Sequence, residues 1–336
     1  MGGIMFKYID LFAGAGGMSL GFDTQNFNQI LSVEYDSKIA ETYSFNFPNH
    51  KLLVEDISKI SNRDIEQLVG KNKIDVIVGG PPCQGFSLAG KYGRSFIDDP
   101  RNSLFKEFLR FIEVVKPQLF IMENVSRMVS HNKGKTIEEI IIAIKELGYE
   151  PQYKVLQTAN YGIPQTRQRV IIVGTKAGRF EYPEKINEMK TIKNAIEDLP
   201  ALKSGEKSEI PNHIAMNHGQ EMLKKMSYIS DGGNRSEIPI ELRPKSGDIR
   251  KYIRYNSNQP SVTITGDMRK IFHYSQNRAL TSRELARLQT FPDDFIFKGT
   301  SICVQQQIGN AVPPKLAELL AIQAKKFLTE ESRVGS

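Results

Sequence analysis

Short, β-branched apolar runs alternate with stretches of helical apolar spacing along the first half of the chain. The run at 8–12 leads into Ala13-Gly14-Ala15-Gly16-Gly17 and a helix start. Further runs at 30–33, 51–54, 74–78, 118–122 and 170–173 are each short enough to be buried strands. Between them 37–45, 63–69 and 137–147 read as helices. Leu104, Phe108, Phe111, Ile112 and Val115 recur at the spacing of a core-facing helix, which Lys116-Pro117 ends. Strands alternating with helices predict the α/β class, with an open doubly wound sheet that binds ligands at the carboxyl ends of its strands. From about Gly174 to Gly266 the pattern breaks into turn-rich sequence, in which only 252–256 and 261–265 read as strands. Helical periodicity returns at 280–292, where Thr281 and Glu284 have the spacing of a capping box. A last helix carries Leu316, Leu319, Leu320 and Phe327 on one face. The expected layout is a large domain over 1–178, a smaller irregular one over 179–266, a return to the first over 267–330, and a frayed tail over 331–336.

Composition narrows the class. The chain has 336 residues, 40% hydrophobic and 25% charged, which is ordinary for a globular protein. No apolar run approaches the length of a membrane span. Residues 1–7 lack a signal-peptide layout, and Phe6 stands where an acylation motif needs Ser or Thr. Cys83 and Cys303 are the two cysteines, too few for a disulfide framework or a zinc cluster, and the five histidines show no ligand spacing. A reducing, cytoplasmic setting and no metal are expected. The net charge of +7 permits a polyanionic partner. Between 223 and 254, eight Lys/Arg stand against four Asp/Glu, which suits a face that contacts a phosphate backbone or a solvated surface.

The chemistry-bearing residues fall at predicted strand ends. Gly79-Gly80-Pro81-Pro82-Cys83-Gln84-Gly85-Phe86-Ser87 follows the run at 74–78. Its glycines and prolines stop the strand and stiffen the loop. On the loop alone, Cys83 is either a nucleophile presented at a strand's carboxyl end or a small buried hydrophobe. The glycine segment after 8–12 lets a ligand approach the backbone. Its spacing is neither GxGxxG nor a phosphate loop, which favours a nucleoside without phosphate. Glu34, ending the second strand, either accepts both hydroxyls of a ribose or starts the next helix, and Tyr35 beside it could stack on a purine. Asp56 ends the third strand, where it could meet an exocyclic amine. Glu123 ends the strand after the one that delivers Cys83, so neighbouring strands would bring thiol and carboxyl to one crevice. Arg167 and Arg169 alternate in an extended segment and so point the same way, toward one bound group or toward solvent. Residues 88–102, with Gly90 and Gly93, have the length and polarity of a loop that moves.

Six stretches, in order, resemble the bacterial DNA (cytosine-5) methyltransferases. They are Asp10-Leu11-Phe12-Ala13-Gly14-Ala15-Gly16-Gly17, Gly80-Pro81-Pro82-Cys83-Gln84-Gly85-Phe86-Ser87, Glu123-Asn124-Val125, Gln165-Thr166-Arg167-Gln168-Arg169, and residues 283–295 and 307–314. The resemblance implies a methyltransferase-type sheet, a target-recognition domain over 179–266, and a last helix packed beside the first glycine loop. It implies S-adenosylmethionine as methyl donor, duplex DNA as substrate, a monomer, and a restriction–modification setting with a restriction endonuclease encoded nearby. By the same resemblance Cys83 adds to C6 of a cytosine flipped out of the duplex, so that C5 can take the methyl group. Glu123 protonates or hydrogen-bonds N3, Arg169 holds O2, and Arg167 holds the backbone or the closed loop. Phe12, Gly14 and Gly16 line the methionine side of the cofactor, Glu34 takes its ribose, Tyr35 and Ile57 flank the adenine, and Asp56 meets the amine. Pro81, Leu104 and Asn310 complete that pocket. Gln84, Ser87, Arg101 and Thr263 are the implied DNA contacts, Thr263 at a phosphate. Cys303 lies outside every motif and is structural.

Rival readings each lack a feature. A transfer-RNA cytosine-5 methyltransferase shares the scaffold but carries a Cys-Phe-Thr signature that this chain does not have. A non-catalytic DNA-binding relative would have lost Cys83 or Glu123. A nucleotide-binding oxidoreductase needs GxGxxG, and an amino-methyltransferase an aromatic residue after the Pro-Pro pair, where Cys83 stands. The target sequence is not legible, because base contacts made from an irregular domain follow no residue-to-base code.

Overall fold

The computed structural model describes residues 5–82, 103–244 and 251–334. Two compact units divide the chain. One comprises Met1–Gln157, Gln168–Glu184 and Pro314–Ser336, and the other Thr158–Arg167 and Lys185–Pro313, in each case over the described residues.

The first unit is built from β1 (Lys7–Leu11), α1 (Gly17–Asp23), β2 (Asn28–Glu34), α2 (Ser37–Asn46), β3 (Leu52–Val54), α3 (Asn62–Val69), β4 (Val76–Gly79), α4 (Ser103–Val115), β5 (Leu119–Val125), α5 (Arg127–Ser130), α6 (Lys135–Glu146) and β6 (Glu150–Gln157). After β7 (Gln165–Thr166), which belongs to the second unit, β8 (Gln168–Thr175) returns to it. The sheet has the order β3-β2-β1-β4-β5-β8-β6. β1 to β5 pair in parallel, and β8 runs antiparallel between β5 and β6. This is the expected α/β doubly wound sheet. One face buries Ile9, Leu11, Leu31, Val33, Ile77, Phe120 and Ile172 against apolar side chains of α3, α4 and α6. The alternate residues Tyr8, Asp10 and Ser32 face the other way and are buried as well.

The last helix, α11 (Pro314–Val334), lies against α1, the helix that follows the glycine loop. Gly21 permits the approach, since a Cβ there would stand 2.4 Å from both the Ala317 Cβ and the Glu318 backbone nitrogen. Gly21→Ala is therefore expected to destabilise the protein by about 1–3 kcal/mol through overpacking, read as a lower urea midpoint. A gain of about 1 kcal/mol, the helix-propensity difference alone, would show that the two helices do not meet.

The second unit replaces sheet ladders with buried arginines. Its helices are α7 (Ile192–Ile196), α8 (Gln220–Ser227), α9 (Ser282–Leu288) and α10 (Ser301–Asn310). Its strands are two-residue pairs, β7 with β10 (Ser261–Val262) and β9 (Ile253–Arg254) with β11 (Ile271–Phe272). The strands expected at 252–256 and 261–265 are thus cut short. Their backbone groups have other partners: the Arg254 N–H donates to the Gly233 carbonyl and the Ile264 N–H to Gln165 Oε1. Elsewhere in the unit, buried Arg254 donates to the backbone oxygens of Met226, Ile229, His273 and Gln276, and buried Arg283 to those of Pro211, Pro292 and Phe295. A guanidinium has five donors and so satisfies irregular backbone that no ladder reaches. The capping box read at Thr281 is formed, with Glu284 also paired to Arg278. By compactness residues 267–313 group with this unit, through the β9–β11 pair and through Gly309, whose added Cβ would stand 2.6 Å from the Thr265 carbonyl carbon.

Candidate active site

The strand order reverses between β1 and β4, and a crevice opens at the carboxyl ends of strands at such a point. Leu11 pairs with Gly79 there, so the glycine loop and the Pro-Pro loop leave the sheet side by side. The glycine loop bends through left-handed backbone at Phe12 (φ 59°), Gly14 (57°) and Gly16 (98°). For Phe12 this conformation is strained, and such strain collects at binding sites. The Ala13 N–H donates to the Val33 carbonyl at 3.0 Å, tying the loop to β2. Beside Gly14 there is room: an added Cβ would find no described atom nearer than 4.0 Å.

Glu34 stands across this loop. Its Oε2 accepts the Gly14 N–H and its Oε1 the Asp36 N–H, both at 2.8 Å. Burial pushes its carboxyl above the ordinary value, opposed by those N–H groups. Of the two roles open to Glu34, starting α2 belongs to Asp36, whose side chain caps the helix at Lys38. Each Glu34 oxygen keeps a lone pair for a further donor such as a ribose hydroxyl. Tyr35 is exposed beside it, and Ile57 is buried. Asp56 accepts the Ser58 hydroxyl at 2.7 Å and its N–H at 3.0 Å, which hold its carboxyl below the usual range. Leu104 packs on the core from α4, and Pro81 is buried. The segment 11–17 carries no basic side chain, so the set fits a nucleoside without phosphate.

β5 is the neighbour of β4, with Gly79 opposite Met122, which meets the condition set by the sequence for Glu123. Glu123 is 8% exposed. Arg169 Nε lies 2.7 Å from its Oε1, an ion pair without a directed hydrogen bond. Among the described residues Oε1 accepts no hydrogen bond, so this buried carboxylate keeps capacity for another partner. A Cβ at Gly80 would lie 3.4 Å from Glu123 Oε2, so the Pro-Pro loop departs directly beside the carboxylate. Asn124 Nδ2 pins that loop by donating to the Pro81 carbonyl at 3.0 Å. Cys83, Gln84, Ser87 and Arg101, and the stretch 88–102, lie outside the described residues.

Arg167 differs from the reading of two arginines aimed at one group. It is 2% exposed, and its Nη1 donates to the Gly309 carbonyl at 2.7 Å, inside the second unit. Thr263 donates its hydroxyl to the Thr166 carbonyl at 3.1 Å, so that hydrogen is committed within the protein. Asn310 is the exposed last residue of α10. Four of the basic residues of 223–254 that the structure describes are used within the protein. Arg254 is buried, Arg235 and Arg243 donate to backbone carbonyls, and Lys251 pairs with Asp267. Sequence reasoning missed Asn124 as a loop-holding residue, although its place next to Glu123 was a signal. It also missed a buried polar cluster beneath the glycine loop, signalled by Tyr8, Asp10 and Ser32 at inward positions of β1 and β2.

Known proteins resemble this chain in sequence and in fold. The sequence profile of the family described as "C-5 cytosine-specific DNA methylase" matches residues 6–326. Type II methyltransferase M1.HphI of Haemophilus parahaemolyticus is 54% identical over 326 residues, covering 96% of this chain and 88% of that protein. Type II methyltransferase M.DdeI of Desulfomicrobium norvegicum is 36% identical, covering 93% and 87%. Among solved structures, a prophage-encoded Escherichia coli protein taken to be a DNA modification methyltransferase superposes with a TM-score of 0.79 at 26% identity, covering 96% of this chain and 99% of that one. With a profile match over residues 6–326 and a relative 54% identical across 96% of its length, the chain belongs to the C-5 cytosine-specific DNA methylases and is a cytosine-5 DNA methyltransferase.

Proposed function

We propose that the protein methylates one cytosine of a specific duplex DNA sequence through a covalent adduct formed by Cys83. The observation that supports this most is the buried Glu123 carboxylate, with open hydrogen-bonding capacity, directly beside the departure point of the loop that carries Cys83. The family's methyl donor, S-adenosylmethionine, supplies an electrophilic methyl group on a positively charged sulfur. Glu34 would hold its ribose, the loop through Phe12, Gly14 and Gly16 its methionine part, and Tyr35, Asp56, Ile57, Pro81 and Leu104 its adenine side, with Asn310 from α10. The absence of basic side chains from 11–17 and the open space beside Gly14 support this assignment.

C5 of cytosine is a weak nucleophile. When the Cys83 thiolate bonds to C6, the C5–C6 π pair shifts to C5, and Glu123, protonated in the complex with the base, passes its proton to N3, which leaves the ring neutral and Glu123 as a carboxylate. Arg169, paired with Glu123, would hold both that carboxyl and O2 of the base. After methylation a base takes the C5 proton, the C5–H electron pair becomes the C5–C6 double bond, the S–C6 pair leaves with sulfur as the thiolate, and N3 returns its proton to Glu123. Arg167 acts indirectly by fixing the Gly309 backbone. Residues 179–266 would read the target, with Thr263, Gln84, Ser87 and Arg101 on the DNA. Since the relatives named above are type II methyltransferases, we assign the protein as the modification enzyme of a restriction–modification pair.

Methyl transfer from labelled S-adenosylmethionine to duplex DNA and to transfer RNA tests the reading. Label in DNA as 5-methylcytosine is expected, and label in RNA alone would overturn it. Glu34→Ala should weaken S-adenosylmethionine binding by roughly tenfold or more, the loss of hydrogen bonds to a charged group, with kcat at saturating donor nearly unchanged. Equilibrium binding checks this, and an unchanged Kd would move the ribose site elsewhere.

A further inference from the structure

α10 ends at Asn310 and is followed by Ala311, in extended backbone, and by Val312-Pro313-Pro314. A helix leaves its last carbonyls without partners of its own. The residue that would return an N–H to the buried Gly309 carbonyl is Pro313, which has none. Carbonyls at this end of α10 must find donors elsewhere or stay unpaired. Side chains supply them. Gln289 Nε2 donates to the Ile308 carbonyl at 2.6 Å and to that of Ala311 at 3.4 Å, and Arg167 Nη1 donates to the Gly309 carbonyl at 2.7 Å.

Gln289 is held in turn from β7. Its Oε1 accepts from Gln165 Nε2 at 2.7 Å, and Gln165 Oε1 accepts the Ile264 N–H at 2.9 Å. Both glutamines are fully buried. Their amides have one orientation, because Gln165 Oε1 faces a backbone N–H that can only donate and Gln289 Nε2 faces carbonyls that can only accept. A directed relay thus runs from the Ile264 N–H through two side chains to the end of α10. Arg167 makes a second tie beside it, since Nη1 also donates to the Ile264 carbonyl at 3.4 Å. Both backbone groups of Ile264 are therefore joined through β7 to the same turn, residues 308–311. All of these residues belong to the second unit.

The backbone that presents Gln289 is itself forced. Gln289 caps the C-terminus of α9, and Thr290 after it stands in left-handed backbone at φ 68°. That region is costly for a β-branched residue and is kept where the surroundings fix the chain. The Phe291 N–H closes the turn on the Ala286 carbonyl at 2.9 Å, and the Thr290 hydroxyl donates to the Gln289 carbonyl at 2.6 Å. Asn310 and Thr263, both exposed, stand on the two segments that the relay joins. We propose that Gln289 is a positioning residue for methyl transfer: with Gln165 it sets where Asn310 stands at the end of α10 relative to Thr263. The inference rests on the reading of Asn310 as part of the S-adenosylmethionine pocket.

An apolar side chain of the same length separates this role from packing. Gln289→Met keeps the reach and nearly the volume of the side chain. It takes the Gln289 donor from the Ile308 and Ala311 carbonyls and the Gln289 acceptor from the Gln165 amide. The tie through Arg167 remains, so the unit keeps its fold while the last turn of α10 loses one of its two holds on 261–264.

The Kd for S-adenosylmethionine and amide hydrogen exchange at Ile264 test this in the wild type, Gln289→Met, Asn310→Ala and the double variant. Gln289→Met should raise Kd roughly tenfold, the loss of one or two buried hydrogen bonds. Because Gln289 acts through Asn310, the double variant should bind no more weakly than Asn310→Ala alone, whereas a merely structural loss would multiply the two effects. In the protein without ligand, exchange at Ile264 should quicken roughly tenfold in Gln289→Met, where Gln165 has lost its anchor, and stay at the wild-type rate in Asn310→Ala. A Kd unchanged by Gln289→Met but raised by Asn310→Ala, or multiplied effects in the double variant, overturns the proposal. If Asn310→Ala itself leaves Kd unchanged, the pocket reading fails at Asn310. Quickened exchange then still establishes the relay, and an unchanged rate overturns it. Should Gln289→Met not fold, Gln289→Asn, whose amide is one CH₂ short of spanning Gln165 and Ile308, gives the same comparison.

Discussion

Cys83→Ala is expected to lower kcat by at least about 10⁴-fold, since loss of a covalent nucleophile removes the step that activates the ring. Binding of S-adenosylmethionine and of duplex DNA should stay near wild type, because the thiol acts at C6 and not on the donor. The sharper measurement is trapping on duplex DNA that contains 5-fluorocytosine. Fluorine at C5 blocks the final elimination, so the wild-type protein should remain attached through a denaturation-resistant bond and Cys83→Ala should not. Sequencing the trapped DNA would give the recognised site. An adduct that forms equally well without Cys83 would end the assignment of the nucleophile. An adduct on substituted RNA alone would end the assignment of DNA as substrate.

Glu123→Gln should lower kcat by about 10²–10⁴-fold, the usual range for a positioned general acid, with a small change in KM for either substrate. Gln keeps the shape and one acceptor oxygen but cannot release a proton to N3. It also removes the charge that faces Arg169 at 2.7 Å. The melting temperature must be measured alongside, because the substitution leaves a largely buried guanidinium without its carboxylate. A Glu123→Gln protein that is folded and within threefold of wild-type kcat would show that N3 is protonated by another group. Slow trapping on 5-fluorocytosine with the thiol intact is the expected signature, since adduct formation and N3 protonation are one step in this mechanism.

Much of the catalytic unit was legible because its signals are local. A strand of four or five β-branched residues must end where Gly79-Gly80-Pro81-Pro82 begins, and β4 ends at Gly79. The helix that carries Phe108, Phe111 and Ile112 buries those residues. The capping box at Thr281 needs a partner three positions on, with two residues between, and nothing from elsewhere in the chain. The second unit was less legible. Two extended segments, 252–256 and 261–265, have strand composition, yet only two residues of each pair in a ladder. Their backbone groups have competing partners: the Arg254 N–H donates to the Gly233 carbonyl, and the Ile264 N–H to Gln165 Oε1.

The sequence by itself determined the α/β alternation, the loops at which strands end, and the family, because each of these is written in contiguous residues or in motifs whose order survives without coordinates. Only the tertiary structure decided what the polar side chains do. Strand order put Glu123 beside the Pro-Pro loop and Glu34 across the glycine loop. Folding also drew Arg167 into the second unit, onto Gly309, 142 residues away in sequence. It brought Asp10, Ser19 and Tyr43, from three separate elements, and His50, from the turn after α2, into one hydrogen-bonded chain. A buried polar group must find a partner wherever the packed elements offer one. That partner is set by which elements become neighbours and in what register, neither of which a local pattern encodes.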